Sequence, residues 1–220
     1  MHLVYFADPL CSWCYGFGPE LAKLLERHPG TQLDLVMGGL RPFNTEPMSA
    51  PFKAMLLEHW AHVGTASGLP FSEAILARDD FIYDTEPACR AVVTVRALGT
   101  ASAFAYMKAV QQAFYRDGLD MTEADALADV AAASGFKREH FREGFESSAM
   151  RDATRRDFAT SQSLGVGGFP TLALSRDRQL FLATSGFVTA DVLEERLAEI
   201  ERRAPSATPG TDHSFRKKER

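Results

Sequence analysis

Cysteine is scarce in this chain of 220 residues, three in all, which excludes a framework of several structural disulfides. Long apolar runs are also missing. No stretch approaches the ~20 residues that a membrane-spanning helix requires. Positive charge is in deficit, with 24 Lys and Arg against 29 Asp and Glu and a net charge of -5. That balance gives no electrostatic ground for a nucleic-acid partner, whose phosphates ask for a basic face. Met1-His2 leads straight into a strand pattern, with no basic segment, apolar segment or cleavage site ahead of it, so the reading is cytoplasmic. No internal repeat and no Gly-x-Ser-x-Gly elbow occur, which leaves a serine hydrolase without support. Hydrophobic residues at 45% and charged residues at 24% are what a folded globular chain carries, and the length suits one large domain or a domain with an insertion.

What the chain does have is Cys11-Ser12-Trp13-Cys14, placed where the apolar run Leu3-Val4-Tyr5-Phe6 hands over to a helix. Positions i and i+3 of a helix share a face, so both sulfurs can reach one disulfide. The first cysteine falls at the helix N-terminus, where unpaired N–H groups and the positive dipole end favour a thiolate. A thiolate with a second thiol behind it is the apparatus of disulfide exchange. Trp13, between the two cysteines, is expected to face outward and offer substrate an apolar contact.

The chain reads β-α-β, then helices, then α-β-β-α. Strands are expected at residues 2–7 and 32–37, with a helix from about Cys11 to Arg27 kinked by Pro19. The two strands should lie parallel. From about residue 50 to 163 only helical patterns follow. Phe52, Met55, Leu56, Trp60 and Val63 form a stripe that stops at Gly64, and Pro87 opens a helix ended by Gly99. Phe104, Met107, Val110 and Phe114 mark another helix. Thr122 with Asp125 resembles a capping box for an alanine-rich helix ending at Gly135, and two more helices are read near 138–146 and 150–164. Residues 171–174 and 179–184 read as an antiparallel hairpin, and a last amphipathic helix covers about 189–203. The remainder, 205–220, including the basic end Arg216-Lys217-Lys218 and Arg220, is expected to be a disordered, solvated tail.

A second element sharpens the cysteine pair: Gly165-Val166-Gly167-Gly168-Phe169-Pro170-Thr171. A proline directly before a strand is awkward unless its missing N–H faces solvent or a ligand. Asp-Pro-Leu-Cys-Ser-Trp-Cys-Tyr-Gly, the helical block, Thr85-Glu86-Pro87-Ala88-Cys89-Arg90 and Gly-Phe-Pro-Thr together resemble the DsbA family of thioredoxin-fold proteins, and among them the FrnE-like cytoplasmic branch. The resemblance covers roughly residues 2 to 203. It implies an α/β fold, a thioredoxin-like fold with a large all-helical insertion. Residues 1–48 and 149–204 would form the thioredoxin-like domain and 49–148 the inserted helical domain.

The resemblance also implies roles. Cys11 becomes the nucleophile, Cys14 the buried resolving thiol, and Phe169-Pro170 a cis-proline loop holding extended substrate. Such proteins exchange disulfides without a bound cofactor, on protein or small-thiol disulfides, glutathione among them. Two departures stand out. Thioredoxin-like proteins often carry a buried acid six residues before the first cysteine, and here that position is Tyr5, with Asp8 the nearest acid. The pair between the cysteines is Ser12-Trp13, which leaves open whether the protein acts as oxidase, reductase or isomerase.

Competing readings fare less well. Zinc asks for four ligands, and the chain offers no second Cys-x-x-Cys; His59 and His62 sit among core-like neighbours, so no metal site is expected. Cys89 reads as packing. The glycines at 165–168 precede a strand, whereas nucleotide-binding loops follow one, and Gly38-Gly39 reads as a turn. Arg41 and Arg90 read as surface pairs. A glutathione-dependent transferase or isomerase of the kappa type is the alternative function, although those relatives commonly carry serine at the first cysteine. A redox-sensing or binding module is a third.

Overall fold

The computed structural model describes residues 1–99 and 103–203; the expected tail from 205 and its basic end lie outside the described residues. Four strands form one mixed sheet in the order β2-β1-β3-β4. β1 (His2–Ala7) runs parallel to β2 (Gln32–Met37) and antiparallel to β3 (Thr171–Arg176), which pairs antiparallel with β4 (Gln179–Ser185). β1 is central, so its residues Leu3–Ala7 are buried on both faces, as a continuous apolar run requires. The parallel β1–β2 pair is joined by α1 (Ser12–Arg27). Pro19 stands inside that helix.

Between β2 and β3 the chain forms α2 (Ala50–Ser67), α3 (Glu86–Leu98), α4 (Ala103–Tyr115), α5 (Ala124–Ala133), α6 (Arg138–Glu146) and α7 (Ser148–Ser163); α8 (Ala190–Arg203) closes the fold. α1 packs against α2, α4 and α8, while α3 and α7 lie against β2. The outer edge of β2 is covered by side chains. Arg96 on α3 bonds the Leu35 carbonyl, and Asp157 on α7 accepts the Met37 N–H at 2.9 Å while pairing with Arg96. Backbone groups that would otherwise present an open strand edge are thereby satisfied.

Several local expectations need correction. α2 does not stop at Gly64; it continues to Ser67 and ends where Gly68 adopts the left-handed conformation, φ 72°. Met55, placed in its apolar stripe, is exposed. The capping box does not form, because Asp120 takes both the N–H and the hydroxyl of Thr122, and α5 starts after Glu123 with no side-chain cap. The β3–β4 turn is narrower than expected: Ser175 and Arg176 belong to the strand, and Asp177 and Arg178 turn with φ 51° and 63°. Two consecutive positive φ values fit the hand of a two-residue hairpin.

Candidate active site

Asp8 shapes the entry to α1. Its Oδ1 accepts the Leu10 N–H at 2.8 Å and its carbonyl accepts the Cys11 N–H at 3.1 Å, which turns the chain from β1 into the helix. Cys11 is the N-cap residue, with extended backbone and no side-chain cap, and its carbonyl accepts the first helical bond from Tyr15. Cys11 therefore stands at the end of α1 where the first N–H groups lack helical partners and the dipole is positive. Cys14 follows one turn later, wholly buried, and burial followed by the neighbouring Cys11 pushes its thiol well above the ordinary range. All three cysteines are free thiols.

The loop before β3 comes back across 158 residues of sequence to meet this helix end. The Cys11 thiol donates to the Phe169 carbonyl at 3.5 Å, and the Phe169–Pro170 peptide is cis. The loop is held in place by its own bonds: the Pro170 carbonyl accepts the Gly186 N–H at 2.7 Å, and the Thr171 hydroxyl donates to the Gly168 carbonyl at 2.8 Å. The Phe169 ring lies against Gly38 at the end of β2. A Cβ at Gly38 would stand 1.9 Å from that ring, so only glycine fits there. A groove of about 410 Å³ opens beside the loop, lined by Gly38, Leu40, Phe158, Gln162 and Phe169 among others.

Trp13 is half-buried rather than fully outward. Its ring packs 5.8 Å from Phe187 and edge-on to His59 at 5.9 Å. Phe187 comes from the loop after β4 and His59 from α2. Neither was legible as a site residue, since nothing in one sequence says that two such distant segments meet at a tryptophan. His59 is held below its ordinary pKa by burial and then by His62; His62 itself is exposed, contrary to the core-like setting expected. Among the described residues no group of three or more His, Cys, Asp or Glu is arranged to hold a metal ion.

Asp8 itself is wholly buried. Its buried carboxylate also accepts the Leu40 N–H at 2.6 Å and the thiol of Cys89 at 3.3 Å. Cys89 is thus packed in the interior and also donates to this carboxylate, a partner that packing logic did not anticipate. Desolvation raises the Asp8 carboxyl, with the N–H of Leu40 opposing most strongly. Tyr5 occupies the expected acid position and is fully buried, and burial, then the neighbouring Cys14 and Cys11, pushes its hydroxyl well above the ordinary range. Arg90 is tied to Glu86 and to the Phe145 carbonyl, and Arg41 lies over the Phe52 ring at 4.4 Å.

Comparison with known proteins places this geometry. Residues 2–198 match the DSBA-like thioredoxin domain family. The chain belongs to that family. Among solved structures, a Nitrosomonas europaea protein provisionally described as a protein disulfide isomerase superposes with a TM-score of 0.86 at 30% identity, over 93% of this chain and 98% of that one. The cytosolic disulfide reductase DsbM of Pseudomonas aeruginosa superposes with a TM-score of 0.74 at 28% identity, covering 92% of this chain and 98% of its own, and has also been solved with GSH. The ClpXP adapter protein SpxH of Bacillus subtilis is 22% identical over 216 residues, 95% of this chain and 71% of that protein. The fold is therefore the DsbA-like thioredoxin fold, and the chain is of a disulfide oxidoreductase family. No helix among the described residues is long and apolar enough to cross a membrane.

Proposed function

We propose that this protein exchanges disulfides through Cys11 and Cys14, with Trp13, Phe169 and Pro170 forming the substrate site. The observation that carries the reading is the 3.5 Å contact of the Cys11 sulfur with the Phe169 carbonyl at the N-terminus of α1. The Cys11 thiolate attacks a substrate disulfide R–S–S–R′, forming Cys11–S–S–R; R′–S⁻ leaves and takes up a proton. Cys14 then loses its proton and attacks the Cys11 sulfur. The new bond is the Cys11–Cys14 disulfide, the bond broken is Cys11–S–R, and two electrons have passed to the substrate. A second thiol pair or glutathione resets the dithiol. DsbM, solved with GSH, supports a small thiol of that kind and a cytoplasmic place of action.

A glutathione transferase of the kappa type is less well supported, because Cys11 stands where those proteins commonly use serine. The test combines two variants. Cys11→Ser is expected to lose catalysed reduction of a model protein disulfide by at least ~100-fold, since the attacking thiolate is gone. Cys14→Ala is expected to accumulate Cys11-linked mixed disulfides with protein or glutathione, seen on non-reducing gels. Full activity of Cys11→Ser would remove the mechanism.

A further inference from the structure

Trp13 belongs to the helical turn that carries both cysteines, and its ring is held from two other parts of the chain. His59 of α2 meets it edge-on at 5.9 Å, and Phe187 of the loop after β4 meets it at 5.8 Å. His59 is half-buried there and differs from the histidines that pair with acids. His2 meets Asp34 at 2.8 Å and His28 meets Glu194 at 2.9 Å, both carboxylates. Among the described residues no carboxylate lies within ion-pair distance of His59, and neither of its ring nitrogens has a hydrogen-bond partner. Neither nitrogen is shut away from solvent.

An imidazole changes charge near neutral pH, and an anion beside it favours the charged form. The elements packed around His59 bring no such anion. α1 meets α2 through Trp13 on His59 and through Gly16, close to Val63 and Ser67. Phe187, on Trp13, is uncharged. Within α2, Glu58 is exposed and forms no ion pair with the ring, and His62 is the other titratable group acting on it. Two imidazoles thus stand beside the first turn of α1, where the helix dipole is positive, without a negative partner.

We propose that His59 is a specificity-determining residue of the exchange site, its ring receiving a carboxylate that the substrate carries close to its sulfur. Trp13 and Phe187 hold the apolar part of the same substrate. Binding of the carboxylate draws a proton onto His59, so acidic substrates are favoured, and more strongly as pH falls below neutrality. Bond making stays with the cysteines.

The inference rests on the exchange reading above, and its test uses ligands that do not exchange. In the full chain carrying Trp60→Phe, Trp13 is the one remaining tryptophan, and a protonated imidazole in ring contact quenches its fluorescence. The emission should titrate with a midpoint below the ordinary histidine value of about 6.5, and this titration should vanish in His59→Gln. The same midpoint, read from the His59 ring protons by nuclear magnetic resonance, needs no tryptophan substitution. S-methylglutathione, a thioether with free carboxylates, is expected to move the midpoint up by about one unit, equivalent to about ten-fold tighter binding to the protonated form. Its diester should leave the midpoint in place. An S-methylcysteine peptide with aspartate beside the cysteine, compared with its asparagine counterpart, tests a protein source of the carboxylate in the same way. A shift with either acid supports the role of His59 and names the source. A midpoint that neither acid moves further than its neutral counterpart would overturn it, and so would a His59 ring that does not titrate. Loss of the exchange reading through a fully active Cys11→Ser protein would leave these midpoints untouched, so the two failures are told apart.

Discussion

Asp8 concentrates several demands on one side chain. Its carboxylate accepts two backbone N–H groups, one from each of two loops, and the Cys89 thiol, all inside the protein. Burial nevertheless raises its pKa, so the native chain holds this proton to higher pH than the unfolded chain does. Over that window the folded state binds more protons. The contribution of Asp8 to stability is then fully present below the unfolded value of about 3.9 and is lost as pH rises through the raised native value. Asp8→Asn removes this titration, so urea unfolding measured between about pH 4 and pH 7 should show a flatter stability profile than the parent. The same variant offers one acceptor oxygen in place of two, leaving the N–H of Leu10 or Leu40 unpaired and costing about 1–3 kcal/mol. An unaltered pH profile would mean that Asp8 ionises in the folded state as it does in the unfolded chain.

At the scale of elements, the site is the meeting of three chain reversals: the ends of β1 and β2 and the start of β3. The Phe169 ring reaches its place only because the end of β2 is glycine, so Gly38→Ala must displace that ring, the β2 turn or the proline loop. Exchange with an extended peptide disulfide is expected to fall about ten-fold or more, by displacement of the Phe169 carbonyl from Cys11, as positioning losses of about 1 Å do. Reduction of a minimal disulfide without a peptide backbone should fall less; equal losses for both substrates would argue against a role for the loop in holding peptide. Most of these elements were readable because their signals are local. β1 and β2 show apolar or alternating runs bounded by turn residues, and the first cysteine at the start of α1 is fixed by its position after β1. Readings failed where a nearby competitor won: Asp120 captured Thr122, and α2 could pass Gly64 because Gly68 supplies the left-handed stop. Phe187, His59 and the Asp8–Cys89 contact were not readable, since each joins segments that no local pattern connects. The Cys11–Phe169 contact, 158 residues apart in sequence, was reached only through resemblance.

Over the whole molecule, one apolar core runs from the sheet into the helical block without a break. Tyr15 of α1 stacks on Tyr115 of α4 with ring centroids 5.0 Å apart and planes at 13°. Trp60 of α2 packs on Tyr115 at 5.3 Å, and Tyr83, ahead of α3, donates to the Leu10 carbonyl just before Cys11. The loop bearing the cysteines is therefore braced by residues of the helical block. A helical segment that unfolded by itself would strip Tyr15 and Leu10 of these partners and expose apolar surface on α1, so the two parts should lose structure together. The two tryptophans report on the question separately, with Trp13 beside the active cysteines and Trp60 at 2% exposure inside the helical block. With each tryptophan replaced in turn by phenylalanine, the fluorescence of the other and the far-ultraviolet circular dichroism should give coincident urea transitions in each single-tryptophan protein. A Trp60 transition at lower urea than that of Trp13 would instead divide the chain into a helical unit and a thioredoxin-like unit that fold separately, at the boundaries near residues 49 and 148 that the sequence pattern suggests.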